Sequence, residues 1–255
     1  MYTLGVDISK WQPGFNWNTC AKTTAKFAFV RAGSVDNPSG KCYVDYEFYR
    51  NSTQAPEFLL TGYYWYFRPN WSTRMQADFF SNLIYDAKRQ LLPVIDVEAP
   101  PDTFGVQITK QQYADRITEF VLTLIKNLSI PRVIIYTRQS YWDYYVEGRT
   151  LWSKQDLWAA RYATGLSSPW SDGKYVFRDW KTWTFWQFTS NGVGELYGTN
   201  PQVSKDIDLD YFNGSYDELK MYAGVPVVSQ TDLWMTEIDA WARTQGYTGT
   251  KPFGG

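Results

Sequence analysis

Short apolar, β-branched and aromatic runs, each ending among polar residues, recur along the 255 residues of this chain. They are Thr3 to Asp7, Phe27 to Arg31, Thr61 to Phe67, Leu92 to Glu98, Arg132 to Thr137, Asp156 to Arg161, Trp183 to Phe188 and, more weakly, Asp206 to Leu209. Runs of this kind read as strands. About eight strands is the number that closes a barrel filled by its own side chains. Helical patterns separate several of them. Ser72 is placed to cap a helix to about Gln90, with Met75, Phe79, Leu83 and Ala87 as its core stripe. Thr109 is placed to cap another to about Leu128, burying Tyr113, Ile117, Phe120, Val121, Leu124 and Leu128. After Trp152 the helices fade and the strands crowd together. The expected class is α/β, a β/α barrel regular in its first half and irregular in its second. Residues 1–222 form that barrel, and 223–255 read as a C-terminal extension with a short helix over Thr231 to Gln245 and a Gly- and Thr-rich linker.

Histidine is absent. That excludes a Ser-His-Asp triad, a Cys-His pair, an HExxH site and any His-ligated zinc. Asp, Glu, Lys, Tyr and Cys remain as acid-base groups, and carboxylate chemistry leads by elimination. Lys and Arg total 25 against 26 Asp and Glu. So balanced a charge gives no field for nucleic acid or an anionic membrane. No apolar run approaches the ~20 residues of a membrane span, and Met1 leads into a strand without the charged and apolar regions of a signal peptide. Cys20 and Cys42 either form one bridge or stay as buried thiols, the latter favoured; they cannot build a four-thiolate metal site. No metal or cofactor is expected. Aromatic residues make up 19% of the chain, with 13 Trp and 20 Tyr. Most belong in a core, but some are expected on a surface, where flat amphipathic rings suit the apolar faces of sugars.

The run from Leu91 to Glu98 turns abruptly acidic at Asp96 and Glu98, as a buried barrel strand does at an active-site rim. Residues two apart on a strand share a face, roughly 7 Å apart at ~3.3 Å per residue. Two carboxylates held so close cannot both ionise easily, so one is expected to stay protonated and act as general acid. Asp7 ends the first strand and Asp208 the last; barrel closure makes those strands neighbours. Four acids then ring one mouth with Arg31, Tyr64, Tyr136 and Gln187, unless the individual acids are merely solvated loop residues.

The motifs Gly5-Val6-Asp7-Ile8-Ser9, Phe29-Val30-Arg31-Ala32, Gly62-Tyr63-Tyr64-Trp65-Tyr66-Phe67, Pro93-Val94-Ile95-Asp96-Val97-Glu98, Val133-Ile134-Ile135-Tyr136-Thr137, Leu157-Trp158-Ala159-Ala160, Trp186-Gln187-Phe188 and Asp208-Leu209-Asp210-Tyr211-Phe212-Asn213-Gly214 stand in this order. Over about residues 2 to 220 the chain thereby resembles glycoside hydrolase family 25, the N-acetylmuramidases or Chalaropsis-type lysozymes. The resemblance implies an irregular TIM-like barrel of five β/α units followed by three strands. It implies cleavage of the β-1,4 bond between N-acetylmuramic acid and N-acetylglucosamine in peptidoglycan. It places the general acid on Glu98, its partner on Asp96 and two further acids on Asp7 and Asp208; Arg31, Tyr64, Tyr66, Tyr136, Trp158 and Gln187 are the expected substrate contacts. Trp65 stands where many members carry His, Asp210 where they carry Asn, and the stretch between Gln187 and Asp208 is longer than usual.

In the expected mechanism Glu98 protonates the leaving oxygen while Asp96 either polarises the substrate's 2-acetamido group or steers a water. A chitinase-like enzyme is the rival within hydrolases, although that family has a further acid where Val94 stands; a non-catalytic wall-binding barrel is the rival from another class. The expected partner is the bacterial wall, met by a monomer outside the cell or by a phage endolysin made without a signal peptide.

Overall fold

The computed structural model describes residues 1–100, 108–162, 165–173, 177–226 and 243–244. The strands are β1 (Thr3–Ile8), β2 (Phe27–Val35), β3 (Cys42–Val44), β4 (Leu60–Tyr66), β5 (Val94–Asp96), β6 (Ile134–Thr137), β7 (Asp156–Ala160), β8 (Phe185–Val193) and β9 (Asp206–Phe212). The helices are α1 (Trp17–Ala21), α2 (Phe48–Gln54), α3 (Thr73–Tyr85), α4 (Lys110–Leu128), α5 (Gln139–Tyr145), α6 (Gly194–Tyr197) and α7 (Tyr216–Tyr222). The sheet runs β1-β9-β8-β7-β6-β5-β4-β2, and a β1–β2 pairing closes it into an eight-stranded barrel, with β3 as a hairpin on β2. Helices follow the strands as far as α5; β7, β8 and β9 then succeed one another without a long helix among the described residues. This is the five-unit, three-strand barrel that the resemblance implies.

Alternation along the strands sorts side chains into two cores. Phe27, Phe29, Val94, Ile134, Tyr136, Trp158, Phe185 and Phe212 face the barrel interior, while Val6, Ile8, Ala28, Val30, Tyr63, Trp65, Ile95 and Leu157 face the helices. The interior rings fit because glycines stand opposite them. A Cβ on Gly5 would lie 2.4 Å from the Phe27 ring, and one on Gly62 would lie 2.7 Å from Phe29.

Some expectations on the elements are corrected. α3 starts after Ser72, whose side chain accepts from Met75 N, but it stops at Tyr85 rather than Gln90. Gln90 instead serves the barrel, its side-chain oxygen accepting from Thr61 N. The buried face of α3 is Thr73, Gln76, Ala77, Phe80, Ser81 and Ile84, one position away from the expected stripe, and Met75 is exposed. Gln76 sets this orientation: its Oε1 accepts from Trp65 Nε1 and Arg68 N, and its Nε2 donates to Arg68 O. α4 carries a full capping box between Thr109 and Gln112 and buries the expected residues, except that Leu128 is only half-buried. Asp208 lies in the first half of β9 and not at its end, because β9 runs antiparallel to β1. Both cysteines are free, Cys20 buried and Cys42 half-buried. The helix expected over Thr231 to Gln245 lies outside the described residues except for 243 and 244.

Candidate active site

The C-terminal ends of the parallel strands and the N-terminal end of β9 meet at one rim. Register sets what faces what: Asp7 is opposite Asp208, Arg31 opposite Tyr64, Tyr66 opposite Asp96, Asp96 opposite Tyr136 and Tyr136 opposite Trp158. A cavity of about 260 Å³ opens there. All ten residues singled out in the sequence line it: Asp7, Arg31, Tyr64, Tyr66, Asp96, Glu98, Tyr136, Trp158, Gln187 and Asp208. Ser9, Trp11, Gln12 and Tyr162 join them. These four were missed because they sit past strand ends, where hydrophobic alternation carries no signal. The Ser9-x-Trp11-Gln12 run after Asp7 and the Arg161-Tyr162 pair after β7 were the available hints.

One hydrogen-bonded chain stiffens the wall. Gln187 Nε2 donates to Asp7 Oδ2 at 2.6 Å, leaving its Oε1 to accept from Tyr136 at 2.7 Å and from Tyr162. The amide orientation is thus fixed by two phenol donors on one side and a carboxylate on the other. Arg31 is held by Tyr43, whose hydroxyl accepts from Nη2 at 2.7 Å, and by Asp45 at 3.8 Å from Nε.

Beneath the rim is a buried acid that the site prediction omitted. Asp210 is fully buried, accepts from Trp158 Nε1 at 2.8 Å and lies two residues along β9 from Asp208, the residue opposite Asp7. Carboxyl groups clustered away from water cannot all ionise easily. Burial raises Asp7 and Asp210 well above the ordinary range, and mutual repulsion within Asp7, Asp208 and Asp210 adds to it. Asp at this position, where the sequence departs from Asn, therefore adds a buried carboxyl that holds its proton tightly.

Asp96 and Glu98 also hold protons more tightly than free carboxyls. Asp96 is raised well above its ordinary value by burial and then by Glu98, against the pull of Arg31 and Arg68. Glu98 is raised by burial, and Arg138, Arg31 and Arg68 restrain it. Asp208 is pushed up to about 6 by burial and by Glu98. β5 ends at Asp96, so Glu98 stands beyond the strand, half-buried at the mouth, while Asp96 lies buried below, its Oδ1 lacking a hydrogen-bond partner among the described residues. A proton donor at an accessible mouth above an unserved acceptor can protonate a leaving oxygen while accepting a substrate N–H. Among the described residues there is no group of His, Cys, Asp and Glu arranged to hold a metal ion.

The sequence profile of glycosyl hydrolases family 25 matches residues 6–195. Lysozyme M1 of Streptomyces globisporus is 31% identical over 221 residues, spanning 83% of this chain and 68% of that protein. The crystal structure of the bacterial lysozyme from Streptomyces coelicolor superposes with a TM-score of 0.72 at 28% identity, covering 88% of this chain and 97% of the other. A family 25 glycosyl hydrolase from Bacillus anthracis gives 0.68 at 26% identity, covering 86% and 93%.

Proposed function

The chain belongs to glycosyl hydrolases family 25, and from that premise we propose how its four rim acids divide the work of a muramidase. It is a glycoside hydrolase of the lysozyme type, cutting the β-1,4 bond between N-acetylmuramic acid and N-acetylglucosamine in peptidoglycan. Glu98 gives its proton to the glycosidic oxygen as the bond to C1 breaks. The carbonyl oxygen of the neighbouring 2-acetamido group attacks C1 from the opposite face, and Asp96 Oδ1 accepts the amide N–H as positive charge builds there. Glu98, now a carboxylate, takes a proton from the water that reopens the ring. Two displacements at C1 retain its configuration, by the substrate-assisted exception to the two-carboxylate scheme. Asp7 and Asp208 close the opposite wall and set the local charge, with Arg31, Tyr64, Tyr66, Tyr136, Trp158 and Gln187 shaping the sugar's seat.

The observation that carries this reading is the pairing of a half-buried Glu98 at the mouth with a buried Asp96 whose Oδ1 has no donor among the described residues. The enzyme acts at the bacterial wall, reached by secretion or by release from a phage-infected cell. Glu98→Gln tests the reading. It preserves shape and removes the proton donor, so turnover on purified walls should fall by about 10²–10⁴ with the fold intact. A variant that still clears walls at the wild-type rate would overturn it.

A further inference from the structure

Glu98 lines a second opening as well as the acid cavity. On its outer side is a shallow groove of about 430 Å³, formed with Arg138, Ser140, Tyr141, Tyr144 and Tyr145. Glu98 alone is shared by the two linings. α5 and the residue before it build this groove. Tyr141 is its buried floor, its hydroxyl donating to Ala99 O and lying 2.8 Å from the Tyr113 hydroxyl. Tyr145 stands 4.7 Å from Tyr141 and 4.6 Å from Tyr144, ring centroid to ring centroid, so three tyrosines form one wall. Tyr144 is exposed at its top, and Lys110 Nζ lies 5.9 Å from its ring.

Arg138 is exposed beside this wall, and its guanidinium has no ion pair or hydrogen bond among the described residues. Lys110 is committed otherwise, its ammonium donating to Asp143 O at 3.0 Å. The groove thus offers apolar ring faces and an exposed cation that has no ion pair among the described residues and acts only at longer range on Glu98, a combination that fits a sugar chain bearing an anion. If Glu98 protonates the glycosidic oxygen, the sugar being released lies across Glu98 from the acid cavity, which is where this groove runs. Every second sugar of peptidoglycan carries a lactyl ether with a carboxyl group, free or extended by peptide.

We propose that the outer groove binds the leaving-side strand of peptidoglycan, with Tyr144 and Tyr145 against the sugars and Arg138 paired with a carboxylate borne by muramic acid. This rests on Glu98 being the proton donor. The full-length chain is assayed on three soluble substrates: uncrosslinked strands with their peptides, amidase-stripped strands with free lactyl carboxylate, and stripped strands whose lactyl carboxyl is converted to the methylamide. Wild type should cut the methylamide strands with a kcat/KM about fivefold lower than the better of the other two, through KM, as expected for one solvent-exposed ion pair. Arg138→Gln should bring that ratio close to one, and Arg138→Lys should restore part of it. Which carboxylate-bearing substrate shows the preference identifies lactyl or peptide as the partner. An unchanged ratio in Arg138→Gln, or no preference in wild type, overturns the proposal. The parent reading fails separately, if wild type releases no reducing ends from any of the three or Glu98→Gln is as active as wild type.

Discussion

Replacing Asp208 by Asn should make the protein more stable near neutral pH while weakening catalysis. Asp208 sits opposite Asp7 in the β1–β9 register and has no side-chain hydrogen bond among the described residues for the amide to lose. Burial and the neighbouring Glu98 move its carboxyl from 3.8 to about 6. A carboxyl raised by folding binds its proton more tightly in the native chain than in the unfolded one. Its stabilising contribution is therefore complete below about pH 4, is lost as pH rises toward about 6, and stays lost above. Two units at about 1.4 kcal/mol each set a ceiling of about 3 kcal/mol, and solvent at the mouth trims this to about 1–3 kcal/mol. Urea titrations followed by tryptophan fluorescence should show the variant ahead of wild type by that amount at neutral pH, or about 2–4 °C in Tm per kcal/mol. At about pH 4 the two curves should nearly coincide, since both side chains are then neutral. A variant less stable than wild type at neutral pH, or a gap equal at both pH values, would refute the reasoning. Loss of activity in the same variant would make the acid cluster a case of function held at the expense of stability.

Trp11 is 66% exposed at the cavity edge. Trp11→Ala should raise KM about threefold to tenfold with little change in kcat, the signature of a lost stacking platform, as steady-state kinetics on soluble strands will show. In α3, Phe80→Ala should cost about 3–5 kcal/mol in denaturant unfolding, whereas Met75→Ala on the exposed face should change stability by no more than about 0.5 kcal/mol. The reverse order would restore the stripe expected from sequence.

Strand positions are legible because each barrel strand carries its own apolar run, and Asp96 and Glu98 are legible because they end such a run abruptly, whereas Asp208 sits early in β9 and reaches the rim through the antiparallel β1–β9 pairing. What escaped depends on partners distant in the chain. β8 extends to Val193 and β9 to Phe212 because they pair with each other, Val193 opposite Asp206 and Phe185 opposite Phe212. No local pattern in the Ser190-Asn191-Gly192 stretch announces that hairpin. The α3 face is not legible in the sequence because Gln76 is polar and its burial depends on the distant partners Trp65 and Arg68. Asp210 reads in the sequence only as a departure from a motif, and its place beneath the acid rim follows from the β1–β9 pairing and not from spacing.

This site cuts on the reducing side of muramic acid. Purified peptidoglycan digested to completion, reduced with borohydride and resolved by mass spectrometry reports which sugar ends each product. Muropeptides ending in reduced N-acetylmuramic acid are the predicted result. Products ending in reduced N-acetylglucosamine would contradict it.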